Sequence, residues 1–190
     1  MKKLLKYIGI ATAVLVSAVS CNKGDGDAYY GNCFIYIPQA TQSSGINNYY
    51  NVPSGEGIYT YNYKVTETTV NAIMGVSRSG KQEDKAYSVG IGVDTAKAAE
   101  VATLLNEENP GKYEVIKESM YTIPARVEVP AGSYSTTYYI ELFKSELSNS
   151  LYAGKVLVLY IGLHDPTTYE LAKTNTEIAV LIDVDKLKSL

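Results

Sequence analysis

The chain has 190 residues, with 17 Lys+Arg against 20 Asp+Glu, one His, two Cys and no Trp. That length fits one ordinary domain, or one domain with a processed leader. A hydrophobic content of 46% beside 19% charged residues excludes a disordered chain, and two cysteines exclude a disulfide scaffold or a Cys-rich zinc module.

The first element is a leader. Lys2, Lys3 and Lys6 form a basic start, and residues 8–19 are an apolar run too short for a membrane-spanning helix. Ser17-Ala18-Val19-Ser20 then precedes Cys21. Small residues before a cysteine suit lipoprotein signal peptidase, which cuts before the Cys and leaves its thiol acylated; Ala18 stands where such sites usually carry Leu. Residues 1–20 are therefore expected to be a lipoprotein signal peptide. Residues 21–32 are the acylated Cys21 and a tether, 33–185 a β-sandwich domain and 186–190 a tail.

Removing residues 1–20 takes three lysines and no acid from a chain of net charge −3, so the mature 170 residues carry −6. Such a chain repels phosphate backbones and anionic headgroups, which argues against a nucleic-acid partner. Attachment to a membrane must then come from the acyl chains on Cys21, two or three of which anchor stably. Cys33 is left as the only thiol, and a small buried apolar role is expected for it.

The tether, residues 22–32, alternates glycine with acids and carries Tyr29 and Tyr30. At about 18 Å of root-mean-square span it keeps the domain near the membrane. Period-two patterns follow. Residues 33–37 read as a short strand closed by Pro38, and 39–57 as a polar loop holding Tyr49 and Tyr50. Residues 58–65 place Tyr59, Tyr61, Tyr63 and Val65 on one face, expected to be core. Residues 68–76 align Val70, Ala72, Met74 and Val76. Residues 77–85 read as a charged turn, and 86–93 put Val89, Ile91 and Val93 together.

One helix interrupts, capped by Asp94 or Thr95, with Ala98, Val101 and Leu105 at helical spacing and Asn109-Pro110-Gly111 as its stop. Strands resume over 113–116, 121–129 and 134–143. Residues 155–163 are apolar on both faces and read as a central strand; 177–184 end the fold. Eight or nine strands with one helix predict an all-β fold, an immunoglobulin-like antiparallel sandwich.

Four constellations bear on chemistry. Val89-Gly90-Ile91-Gly92-Val93-Asp94 imitates a dinucleotide fingerprint, but lacks the third glycine and a second βαβ unit. In a sandwich strand, Gly90 and Gly92 are expected to face a close neighbour. His164 and Asp165 are adjacent, and adjacent strand residues point to opposite faces. A His–carboxylate relay is not expected, and His164 reads as a surface loop residue. The acid pairs Glu83/Asp84 and Glu107/Glu108 read as solvated charge. Last, 18 Tyr stand beside 2 Phe. A tyrosine offers a flat apolar face and a polar tip, which suits stacking on a sugar or a protein. Tyr49 and Tyr50 are the candidate ligand-binding residues, with no catalytic residue, no metal and no cofactor expected.

The segments 34–41 (Phe-Ile-Tyr-Ile-Pro-Gln-Ala-Thr), Asn48-Tyr49, Val93-Asp94, Val129-Pro130-Ala131-Gly132, 151–155 and Asp165-Pro166-Thr167 follow one another in a telling order and spacing. The chain resembles the domain-of-unknown-function family that forms the N-terminal Ig-like domain of Bacteroidota surface lipoproteins. The resemblance implies an Ig-like sandwich at the cell surface, often beside glycan-utilisation machinery, and transfers no catalytic residue. The expected protein is non-catalytic, anchored in the outer membrane through Cys21, and either a glycan-binding or glycan-uptake accessory module or a scaffold. Its expected partners are a glycan or a neighbouring outer-membrane protein.

Overall fold

Val70, Ala72, Met74 and Val76 alternate along one strand and are all fully buried. This is what period two does when one side of a strand faces a core. The computed structural model describes residues 31–42, 49–55, 61–81 and 85–190. The leader, Cys21, Tyr29, Tyr30, Tyr59 and Glu83/Asp84 lie outside the described residues.

Twelve strands occur among the described residues. They are β1 (Phe34–Tyr36), β2 (Tyr49–Val52), β3 (Tyr63–Val65), β4 (Thr69–Arg78), β5 (Tyr87–Val93), β6 (Tyr113–Val115), β7 (Tyr121–Thr122), β8 (Arg126–Val129), β9 (Ser135–Phe143), β10 (Val156–His164), β11 (Glu170–Leu171) and β12 (Glu177–Asp183). Helices are α1 (Pro38–Gln42), α2 (Thr95–Glu108), α3 (Lys144–Leu147) and α4 (Val184–Lys188). One sheet runs β11-β1-β4-β9-β7 with β3 beside β4; the other runs β2-β12-β10-β5-β8 with β6 beside β10. The inner faces of the two sheets share one core that contains Ile35, Met74, Ile140, Leu157, Ile161 and Ile182.

β10 is central, flanked by β12 along its length and by β6 and β5 on its other side, as its two apolar faces require. Its outer face is covered by α2. Ala98 and Ala102 of the helix meet Val156, Val158 and Leu181 of the sheet, and the Asp94 side chain caps the helix by accepting from the Lys97 amide at 2.9 Å.

Several local expectations change. The polar loop 39–57 contains α1 and β2, because β2 finds a parallel partner in β12 some 130 residues on, from Tyr49↔Ala179 to Val52↔Ile182. The expected strand 121–129 divides into β7 and β8, which join different sheets. Of the tyrosine stripe, Tyr63 packs against the core, whereas Tyr61 is 51% exposed. Arg78, expected in a charged turn, ends β4 and is 3% exposed. Its guanidinium stacks on Tyr134 at 4.2 Å and reaches the Cys33 sulfur at 3.5 Å, an aromatic enclosure that offsets its burial. The expected tail begins inside α4, which buries Leu187.

Candidate functional site

Tyr49 and Tyr50 sit on a strand, so their side chains diverge. Tyr50 turns inward, packs against the main core and donates its hydroxyl to the Ile73 carbonyl of the opposite sheet at 3.0 Å. Burial raises its pKa. Tyr49 turns outward and joins the cluster beneath α2. The two tyrosines are thus not one patch. Their expected position in a polar loop is corrected by the pairing of β2 with β12.

The outer face that Tyr49 shares runs on past the helix. On β10 the outward positions towards its end are Tyr160, which packs against the cluster at the start of α2 with Lys97 Nζ 5.3 Å from its ring, and, beyond the helix cover, Gly162 and His164. Gly92 and Gly90 of β5 lie opposite Gly162 and His164, and Glu177 of β12 lies opposite Gly162 on the other side. Three glycines therefore floor this end of the sheet, and the helix leaves it uncovered.

His164 lies flat in that floor. A Cβ placed on Gly90 would stand 2.4 Å from its Cε1 and 2.7 Å from each ring nitrogen, and one on Gly92 would stand 3.2 Å from its Cδ2. The two glycines thus make a seat for the imidazole, and the side chain stays 51% exposed. The expected close neighbour of Gly90 and Gly92 is this ring.

The His164–Asp165 pair also departs from expectation. Nδ1 of His164 is 2.9 Å from Oδ2 of Asp165. The strand ends at His164, and Asp165 adopts φ of 44°, a left-handed conformation that Asp tolerates. That turn folds the carboxylate back beside the ring, so strand alternation no longer applies. With Nδ1–H donating to the carboxylate, Nε2 is left turned away from that bond, an acceptor in the neutral imidazole. Arg126 of β8 holds the turn from below: both of its terminal nitrogens donate to the Asp165 carbonyl at 3.1 Å, and Nη1 also donates to Ser88 Oγ at 2.9 Å.

The helix side of the floor is closed by a second network. Lys97 Nζ is 2.6 Å from Glu177 Oε2, and the Tyr160 hydroxyl donates to the same oxygen at 3.0 Å. The Lys97 bond, and to a lesser degree that of Tyr160, holds the Glu177 carboxyl below the ordinary carboxylate range. Burial and the neighbouring carboxylate raise the Tyr160 pKa. Away from the helix, Ser88 and Glu128 open a cleft of about 500 Å³ lined also by Tyr87, Pro130 and Thr167. Among the described residues no cluster of His, Cys, Asp or Glu has the makings of a metal site.

Sequence reasoning singled out His164, Gly90 and Gly92 without joining them, and missed Tyr160, Glu177, Lys97 and Arg126. A glycine alternation on one strand and a His–Asp at the end of another carry the signal; only the antiparallel register superposes them.

Comparison with known proteins supplies a family and a fold. A family model described as an N-terminal domain matches residues 30–156. No curated protein matches the chain. Among solved structures, a Bacteroides ovatus protein of unknown function is similar with a TM-score of 0.57 at 8% identity, over 81% of this chain and 52% of that one. A candidate carbohydrate binding protein from Bacteroides ovatus ATCC 8483 gives 0.49 at 14% identity, over 79% and 36%. EndoBT-3987 of Bacteroides thetaiotamicron, solved with a Man5GlcNAc product, gives 0.44 at 11% identity, over 79% and 30%. The chain thus spans about half the length, or less, of these three structures.

Proposed function

We propose, from the premise that the chain belongs to the N-terminal-domain family whose model spans residues 30–156, that it is a non-catalytic, lipid-anchored cell-surface protein. Its domain binds glycan, or assists a neighbouring glycan-uptake complex. The observation that carries the reading is the uncovered, glycine-floored sheet face on which the His164 ring lies flat. A flat ring with polar groups at its margins is what a sugar needs: an apolar surface for its C–H face and partners for its hydroxyls. Tyr160 belongs to the same surface. Tyr49 extends it on the outer side of β2, while Tyr50 serves it by holding β2 in place.

The sandwich is of the immunoglobulin-like kind in this reading. Support comes from its predominantly antiparallel pairings and from β1 and β2, consecutive strands that enter opposite sheets; the expected all-antiparallel pattern is corrected by the parallel pairs β1–β11, β6–β10 and β2–β12. The anchor is the acylated Cys21, at the end of the leader, and the compartment is the outer membrane. The candidate carbohydrate binding protein and the Man5GlcNAc-bound protein set the context, which is analogy.

The test is binding of the full chain, purified from membranes in detergent, to a panel of host, plant and microbial glycans. Saturable binding weakened by Tyr160→Ala supports the reading. No binding across the panel overturns it in favour of a scaffold, a role that would show as co-purification with a membrane protein complex. Cys21→Ala should release the chain from the membrane fraction; continued tight membrane association would remove the anchor.

A further inference from the structure

Resting on the glycan-binding reading, we infer that the ligand is an uncharged, extended oligosaccharide. One of its sugars stacks on His164, and its chain runs over Gly162 towards Tyr160.

Charge decides the first half of this assignment. Both cations at the margin of the glycine floor are engaged: Lys97 by Glu177, and Arg126 by the Asp165 carbonyl and Ser88. The groups turned towards the floor are acceptors. Glu177 takes both of its hydrogen bonds on Oε2. Its Oε1 lies over Gly162, 3.9 Å from where a Cβ on that glycine would stand. In the neutral imidazole His164 Nε2 is the second acceptor, because Nδ1 is spent on Asp165. An anionic ligand would meet two carboxylates and no unengaged cation among these residues. A polyhydroxylated ligand donates to both acceptors and places its C–H face on the imidazole.

Geometry decides the second half. His164 and Tyr160 are same-face positions four residues apart on β10, about 13 Å along the strand. Gly162 between them has no side chain: the Glu177 side chain borders it on one side, its Cγ 3.4 Å from where a Cβ would stand, and Gly92, on which the edge of the His164 ring rests, borders it on the other. A single sugar ring does not reach from one aromatic group to the other, whereas an extended oligosaccharide does. The Lys97–Glu177–Tyr160 network closes the far end, where α2 begins to cover the sheet.

The experiment titrates the full chain in detergent with gluco-, xylo- and manno-oligosaccharide ladders from the monosaccharide upward, and with glucosamine and galacturonic acid oligomers as cationic and anionic counterparts. In at least one neutral ladder, affinity should climb as sugars are added and level off once the ligand spans both rings. His164→Ala should weaken that binding about tenfold, and His164→Phe, which restores a flat ring, should recover most of it. Gly90→Ala keeps the imidazole but removes its seat and should weaken binding as His164→Ala does. Thermal melts of each variant separate loss of the site from loss of the fold. Resonances of the His164 ring protons should move on titration. Binding of glycans that His164→Ala leaves unchanged in a folded chain overturns this inference while the glycan-binding reading stands. A preference for the charged oligomers overturns the uncharged assignment. Silence from every ladder and from the wider glycan panel overturns both.

Discussion

The imidazole of His164 occupies the space that a side chain at Gly90 would need: a Cβ there would stand 2.4 Å from Cε1. The pair face each other directly across the β5–β10 register. Gly90→Ala is expected to displace the ring rather than unfold the sheet, since the imidazole is half exposed and free to swing outward. The cost in stability should stay near or below about 1 kcal/mol, the lower end of overpacking penalties. The bond to Asp165 should be lost, which the chemical shifts of the His164 ring would register. A cost of several kcal/mol would mean that the ring is locked in place by more than these contacts.

The salt link between Lys97 and Glu177 gives a pH dependence. Glu177 titrates below its ordinary value when folded, chiefly through the Lys97 bond. Its contribution is therefore complete above the unfolded carboxylate value and fades as pH falls through the depressed folded one. Both side chains are nearly half exposed, so the pair contributes less than about 1 kcal/mol. Thermal melts of wild type and Glu177→Gln should differ at neutral pH and converge in acid. A gap that widens in acid would contradict the sign.

An opposite dependence belongs to Tyr87. Burial pushes its hydroxyl up to about 12, with the Arg78 guanidinium partly opposing the rise. A raised value means stability fully present below the unfolded value near 10 and lost as pH climbs from there to about 12. Tyr87→Phe should flatten the alkaline limb of a stability profile. It should also cost about 1 kcal/mol at neutral pH, because its hydroxyl donates to the Tyr134 carbonyl at 3.1 Å.

Tyr50→Phe separates the two adjacent tyrosines. The hydroxyl of Tyr50 bridges from β2 to Ile73 of the opposite sheet. Its removal should lower stability by about 1 kcal/mol and leave glycan affinity unchanged. A loss of affinity without a loss of stability would place Tyr50 at the ligand.

Strands with strict alternation are legible in the amino-acid pattern alone. Val70 to Val76 and Tyr138 to Leu142 each carry a run of alternate buried positions, and the two-sided runs 156–164 and 178–182 lie side by side in the other sheet. Elements whose existence depends on a distant partner are not legible in that way. β2 reads as polar loop because Tyr-Tyr-Asn-Val has little pattern of its own; β12 makes it a strand. Arg78 reads as surface because its charge is visible in the sequence and the tyrosines that enclose it are scattered over positions 134 and 169. The site falls between these cases. Its residue types stand out, but the seat of His164 arises from a cross-strand register and from a turn at Asp165, neither of which a linear pattern encodes.

The parallel docking of β2 on β12, together with that of β1 on β11, has a mechanical meaning. A pull that enters ahead of β1 and leaves beyond β12 drags these neighbours past each other lengthwise. The rungs from Tyr49↔Ala179 to Val52↔Ile182 are then loaded together instead of peeling open one after another. A load carried between a point ahead of β1 and a point beyond β12 therefore meets a shear clamp.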